Sequence, residues 1–424
     1  MHISIPWGRT HLTAELPDHR IRGVLKSRLE GYVPPMGQRE LVEAALASPI
    51  GSQRLEVLAS GKKNIVLIAS DHTRPVPSKV LVPPMLEAIR RGNPEAEITI
   101  LIATGCHRGT TKDELIEKFG PEIVAKERIV IHDCEESENM VTLGTLPSGG
   151  TIRINRLAAE ADLLISEGFI EPHFFAGFSG GRKSVLPGIV ARETVHWNHN
   201  AEFIADPHSR TGILENNPIH RDMIFAARAA KLAFICNVVI NAKHEVVGAF
   251  AGDCEQAQLA GARFLKDLCA CSRVEADIVI TSNNGYPLDQ NIYQSVKGLT
   301  AAEASAKEGA VLIMCADLAD GTGGEGFYQS LKNCETPAAH FAQCAATPQN
   351  ETIPDQWESQ ILARILMKHR VIFVSRPEME ATLREMKLDY APDLATALAM
   401  AKAHKGENAK VTLIPNGISV MVKK

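Results

Sequence analysis

Four short apolar runs, each ending in a polar loop, most constrain what this chain can fold into. They are NIVLIAS (64–70), EITILIATG (97–105), RIVIHD (128–133) and ADLLIS (161–166). A strand with one solvated face alternates apolar and polar residues, whereas a strand buried on both faces reads as a nearly continuous apolar run. Helical spacing fills the gaps: Leu81, Met85 and Ile89 within 79–91, then 112–119, where Thr111 is a candidate cap ahead of Asp113 and Glu114. Strands alternating with helices specify a parallel α/β sheet. Ligands of such sheets sit beyond the carboxyl ends of the strands. The loops at 71–74, 106–108 and 173–183 therefore belong on one edge.

A second series begins further on, with ADIVITSN (276–283), VLIMCAD (311–317), RVIFVS (370–375) and VTLIP (411–415). Before it, FICNVVIN (234–241) and 245–251 read as a strand pair closing the first half, and a helix over 254–268 leads to a boundary near 270. The expected fold class is α/β, with two Rossmann-like domains of mainly parallel sheet and the active site in the cleft between them. The first domain spans 1–270 and carries cofactor binding and catalysis; the second spans 271–424, with its final residues free to return to the first. Residues 1–50 read as a lead-in: a strand at HISIP (2–6) and helices at 21–29 and 39–46. Asp289 is a candidate N-cap for a helix on which Tyr293, Gln294 and Lys297 share a face.

Composition narrows the function classes. Apolar residues make up 45% of the 424 and charged residues 22%, as in ordinary globular chains. The net charge of -5 excludes a general nucleic-acid binder, which needs a basic face. Nine cysteines without a CxxC pair suit reduced thiols, hence a soluble protein of the cytoplasm. No secretory signal is visible at MHISIPWGRT, and no apolar run approaches the ~18 residues of a membrane span.

Chemistry concentrates in EGFIEPHFFAGFSGGRKSVLPGI (167–189). GFSGGRKS (177–184) nearly matches a P-loop, but Arg182 stands where the last glycine belongs and Pro187 cuts short any helix. Ser179, Gly180 and Gly181 are candidates to bind a phosphate through backbone N–H groups; the alternative is a tight turn with a solvated Arg-Lys pair. His107 and His173 follow different strands on the same edge, and a pair of imidazoles can serve as complementary acid and base. His196 and His199, three apart, suit a metal or simply a polar helix face. Arg74 is a natural carboxylate fork, and Asp71 a candidate to orient a histidine or hydroxyl. Cys106 reads as a small packed side chain, and Trp357 as a core residue or a cleft wall.

Taken together, SDHTRPVP (70–77), ATGCHRG (103–109), EPHFFAGFSGGRKSVLPGI (171–189), HWNHN (196–200), NGYPLDQNIYQSVKG (284–298) and DQW (355–357) resemble the nickel-dependent lactate racemase family. The resemblance implies a nickel-pincer nucleotide, a pyridinium mononucleotide that carries nickel between two sulfurs and a ring carbon, tethered to Lys183. It implies His199 as the nickel ligand, and cofactor contacts from Asp71, His72, Thr73 and Arg74. It implies inversion of a 2-hydroxy acid at C2 by hydride transfer, with His107 and His173 handling the hydroxyl proton on opposite faces. Arg74, Tyr293, Gln294, Lys297 and Trp357 become substrate contacts. Enzymes that synthesise the cofactor and insert nickel become partners. The family's expected THRP is CHRG here (106–109), which leaves lactate-like acids, malate and sugar acids open as substrates. A dehydrogenase using a free dinucleotide is disfavoured by the lack of GxGxxG after the early strands. A non-catalytic carrier of the cofactor would need only Lys183 and His199.

Overall fold

The computed structural model describes residues 1–423. The chain forms two compact units. One comprises Glu30–His199 and Asp206–Asp267; the other takes Met1–Leu29, Asn200–Ala205 and the chain from Leu268. The sequence reading divides the chain once, near 270; contacts divide it close to there, but they also put the first 29 residues with the C-terminal part. The final strand, Met421–Lys423, pairs with Ala270–Ser272 of its own unit.

In the unit built on Glu30–His199, a six-stranded sheet runs in the order Val246–Gly252, Leu232–Ile240, Leu163–Phe169, Asn64–Ser70, Glu97–Ala103, Arg128–Ile131. Only the edge strand Val246–Gly252 is antiparallel. The apolar runs explain the order. Ile65, Val66, Leu67, Ile68 and Ala69 are all fully buried, as are Ile100, Leu101 and Ile102, so neither sheet face can be left to water. The helices Gln38–Ala47 and Ser78–Gly92 carry Val42, Leu81, Met85 and Ile89 into one shared core with these strands. Thr111 caps Lys112–Phe119 in a capping box: Thr111 Oγ1 accepts from Glu114 N at 3.4 Å, and Glu114 Oε2 accepts from Thr111 N at 2.8 Å.

The other unit holds a second six-stranded sheet, all parallel, in the order Asp389–Ala391, Arg370–Val374, Ala306–Cys315, Ala276–Ser282, Val411–Ile414, Ile21–Val24. The last strand corrects the sequence reading of a helix over 21–29. Ile21, Val24 and Leu25 have helix-like spacing, but Ile21–Val24 pairs with Val411–Leu413 and adds an edge strand. Gly23 lets that edge approach Val274, whose side chain a Cβ would meet at 3.2 Å. Asp289 is also corrected: Asn291 caps Ile292–Ala304, while Asp289 Oδ2 accepts from the N–H groups of Gly8 (2.7 Å) and Asp317 (3.1 Å).

Candidate active site

The strand Asn64–Ser70 sits where the order of the first sheet reverses. Strands that follow it in sequence extend outward to Arg128–Ile131, and then Leu163–Phe169 returns to its other side. Loops leaving two such strands diverge, and the carboxyl edge opens at that point. Glu167, buried at 1% exposure, ties the two sides together. Its Oε1 accepts from Ser70 N and Ser70 Oγ, both at 2.8 Å, and its Oε2 from Ser78 Oγ at 3.3 Å.

The segment after Ser70 builds a carboxylate–imidazole pair. Asp71 Oδ2 accepts from His107 Nδ1 at 2.8 Å, and Asp71 Oδ1 from Thr73 Oγ1 at 2.7 Å. Burial by itself would raise the Asp71 pKa; the hydrogen bond and charge of His107, then Arg74 and Thr73, outweigh it and hold the carboxyl at about 2. An ionised carboxylate only accepts, so Nδ1 of His107 carries the hydrogen and Nε2 is left as the basic nitrogen. Arg74 Nη1 donates to Thr73 Oγ1 at 2.9 Å, and the half-buried Lys118 donates to the Arg74 carbonyl at 3.2 Å. His72 is engaged elsewhere, with Nδ1 3.1 Å from Thr110 Oγ1, and burial lowers its pKa.

His173 lies in a two-residue hairpin, Pro172–His173 against Gly177–Phe178. The turn needs Gly177 at φ +77°, where a Cβ would come within 2.3 Å of Ile213 O. His173 Nδ1 accepts from Ala176 N at 3.3 Å, and Nε2 lies 3.2 Å from Lys183 Nζ. The ring meets Phe175 edge-on with centroids 4.5 Å apart. Across Phe175 lies His199, at 5.2 Å. His199 follows the helix Arg192–Asn198 as its C-terminal cap. Its Nδ1 faces the Val195 carbonyl at 3.1 Å, which can only accept, so Nε2 keeps its lone pair. Burial, and then the charge of Lys183, push its pKa down to about 3. His199 is therefore a neutral imidazole, the form that binds metals.

The glycine-rich run forms a short 3-10 turn, Gly181–Ser184, in keeping with the reading that Pro187 cuts short any helix. Ser179 N donates to Glu171 O (3.0 Å), Ser179 Oγ to Phe169 O (2.9 Å), and Gly181 N to Asn237 Oδ1 (2.6 Å). The N–H groups of Ser179 and Gly181 thus each have a partner within the protein. Arg182 is not solvated but has no exposed surface at all. Its guanidinium donates to Phe178 O (2.7 Å), Ala176 O (2.8 Å), Ser179 O and Gly180 O (both 3.3 Å), and its Nε to His220 Nδ1 (3.1 Å). It is an internal cation clamping the backbone of residues 176–180, the turn and second strand of the hairpin and the residues that leave it.

Tyr293, Gln294, Lys297 and Trp357 belong to the other compact unit. Gln294 and Lys297 share a face of Ile292–Ala304, and Tyr293 Oη accepts from Trp357 Nε1 at 2.9 Å. Beside Lys297 lies Glu358, 1% exposed, its pKa raised by burial and only partly restrained by the lysine.

The structure thus gathers Asp71, Thr73, Arg74 and His107 into one network, and His173, Lys183 and His199 into a second around Phe175. Glu167, Lys118, His220 and Asn237 support these networks without having been singled out from the sequence. The available signal was Arg182, a lone departure from a phosphate-loop pattern. Among the described residues, no group of three or more His, Cys, Asp or Glu side chains could hold a metal ion.

Comparisons with known proteins complete the description. Residues 7–212 match the family described as lactate racemase N-terminal domain, and residues 271–422 the lactate racemase C-terminal domain. A lactate racemase of Thermoanaerobacterium thermosaccharolyticum is 53% identical, covering 100% of this chain and 99% of its own. That of Lactiplantibacillus plantarum is 51% identical, covering 99% of each. The solved structure of the lactate racemase apoprotein from T. thermosaccharolyticum superposes with a TM-score of 0.97 over 100% of both chains, at 53% identity. A crystal structure of a Thermotoga maritima protein, 18% identical, covers 92% of this chain and 100% of its own with a TM-score of 0.63, a likeness of fold alone.

Proposed function

This chain belongs to the lactate racemase family, and we propose on that footing that it inverts C2 of lactate or a close 2-hydroxy acid with a nickel-pincer nucleotide tethered to Lys183. The observation that carries the reading is the pair of histidines that follow the two strands flanking Asn64–Ser70 at one parallel sheet edge, each with one ring nitrogen fixed by an internal partner. The two enantiomers present their hydroxyls differently, so inversion by hydride transfer needs a group for the hydroxyl proton of each, and two independently oriented imidazoles meet that need.

The residues present suit the tethered group. Lys183 Nζ lies 3.2 Å from His173 Nε2, so the proposed tether atom stands beside the proposed acid–base group. His199 offers one neutral imidazole, a ligand that suits nickel alongside soft sulfur. The protein lacks a metal cage of its own among the described residues, which fits a metal delivered already bound to the organic group by cofactor-synthesis and nickel-insertion enzymes.

When bound, the group would supply reversible acceptance of the C2 hydrogen as hydride. The protein's part is acid–base work and binding. His107 Nε2 takes the hydroxyl proton of one enantiomer, and Asp71 stabilises the imidazolium that results. His173 is proposed to handle the hydroxyl proton of the other enantiomer. Arg74, braced by Thr73 and Lys118, binds the substrate carboxylate. Tyr293, Gln294, Lys297 and Trp357 are proposed as further substrate contacts.

The test uses protein co-produced with the cofactor-synthesis enzymes. Intact mass should show an adduct on Lys183. Single enantiomers of lactate, malate and a sugar acid, followed by chiral chromatography, should identify the acid inverted. Replacing His107 or His173 with alanine should lower turnover by about 10²–10⁴-fold while the adduct remains. Near-normal turnover in either variant refutes the acid–base roles; full activity without an adduct refutes the tether.

A further inference from the structure

Two cysteines that the proposed reaction does not use meet beside His107. Cys106 immediately precedes that histidine and is exposed. Cys134 follows the strand Arg128–Ile131 and is 6% exposed. The strands bearing them are parallel neighbours in register, Ile102 opposite Ile131, so both cysteines emerge at the same edge. The two segments are then tied together: Thr104 Oγ1 donates to His132 O at 2.6 Å, and His132 N to Ile102 O at 3.0 Å. The two thiols hydrogen-bond to one another, and Arg192 engages the Cys134 sulfur with its side chain and the Cys134 carbonyl with its N–H at 3.1 Å. Other buried cysteines differ. Burial pushes Cys236 up to about 12 and Cys254 and Cys344 up to about 11, which leaves them inert thiols. The hydrogen bond from Cys106, then Arg192 against the cost of burial, bring Cys134 down to about 7.

We propose that Cys106 and Cys134 are a reversible oxidation site, forming a disulfide with a low-molecular-weight disulfide such as oxidised glutathione as the oxidant. The exposed Cys106 thiolate attacks one sulfur of the oxidant. A mixed disulfide forms, and the first small thiolate leaves and takes up a proton. The Cys134 thiolate then attacks Cys106 Sγ; the protein disulfide forms, and the second small thiolate leaves. Two protein thiols lose two electrons, and one small disulfide becomes two thiols. Arg192 stabilises the resolving thiolate without blocking Cys106. A disulfide needs its sulfurs ~2.05 Å apart, closer than any hydrogen-bonded pair of thiols. Cys134 is buried and held at its backbone, so the adjustment falls on the exposed Cys106 and on His107 beside it. On the reading of His107 as an acid–base group, a displacement of about 1 Å there lowers turnover by about 10²-fold.

The test is peptide mapping of the full chain after incubation with graded ratios of oxidised to reduced glutathione and alkylation of remaining thiols. The expected product is one linkage, Cys106 to Cys134, with the other cysteines alkylated. Cys134→Ser should instead accumulate the glutathione adduct on Cys106, and Cys106→Ser should leave Cys134 alkylated. A persistent adduct on Cys106 of the unsubstituted protein, or a linkage between any other pair, overturns the proposal. The mapping needs no activity, so it stands or falls apart from the racemase reading. On active holoenzyme, oxidation should suppress turnover, a reductant should restore it, and Cys106→Ser should abolish the response. Unchanged turnover in fully linked enzyme overturns the effect on His107.

Discussion

Replacing Arg182 with methionine should unfold the hairpin that carries His173 far more readily than a surface change would. The side chain is fully buried and makes five hydrogen bonds, four of them to carbonyls of residues 176–180. Burial lowers its pKa to about 9, so it stays charged at neutral pH. Two contacts, to Phe178 O and Ala176 O, are short at 2.7 and 2.8 Å. A buried polar group left without its partner costs about 1–3 kcal/mol. Two orphaned carbonyls therefore cost about 2–6 kcal/mol. Methionine fills similar volume and removes a buried charge, which returns part of that. A net loss of about 3 kcal/mol, at a slope of about 2 kcal/mol per molar urea, moves the midpoint down by about 1.5 M. The reporter is Trp197, which lies in this unit, in a chain with Trp7 and Trp357 changed to phenylalanine. Arg182→Lys keeps the charge and some donors and should lose about half as much. A midpoint within about 0.2 M for Arg182→Met would refute the clamp, because the cost of burying the guanidinium would then cancel its hydrogen bonds.

Other predictions follow from the same geometry. Asp71→Asn removes the acceptor that fixes the His107 tautomer and should lower turnover of the holoenzyme by about 10²–10⁴-fold, with the Lys183 adduct intact by mass; unaltered turnover would mean Asp71 does not orient the base. Burial holds His132 down to about 4, and burial with the charge of Arg182 holds His220 down to about 3. The unfolded chain then binds more protons between the ordinary histidine range and those values, so stability is complete above about pH 6.5 and falls as pH drops towards 4; urea midpoints flat from pH 7 to 5 would contradict this. Lys183→Arg should abolish the covalent adduct while leaving the unfolding free energy from urea titration within about 0.5 kcal/mol of the original; an adduct that persists places the tether on another residue.

Much of the fold was legible because burial on both faces writes itself into sequence. NIVLIAS coincides with the strand Asn64–Ser70, and the capping signals give Lys112–Phe119 with its own boundaries. Ile21–Val24 was not legible. Four residues are too few to separate a period of two from one of 3.6, and the partner strand lies almost at the other end of the chain. His107, His173 and Lys183 stood out because polar loops after apolar strands share an edge. Arg182 did not. An arginine between glycine and lysine looks solvated until the positive-φ turns at Gly177, Gly180 and Gly181 aim a ring of carbonyls at it. Glu167 was hidden likewise, because its partners Ser70 and Ser78 lie some ninety residues away.

The edge strand Ile21–Val24 also governs how this gene can be cut. A fragment starting at 271 keeps five strands of its sheet but leaves Val411–Ile414 with a bare row of N–H and C=O groups. It also lacks the hairpin His2–Trp7 with Thr10–Glu15, whose Ile3 and Ile5 sit in the same core as Ile278 and Val411. An open apolar edge of that kind recruits strands from other molecules. Such a fragment should aggregate, and supplying residues 1–29 as a separate peptide should restore it to solution.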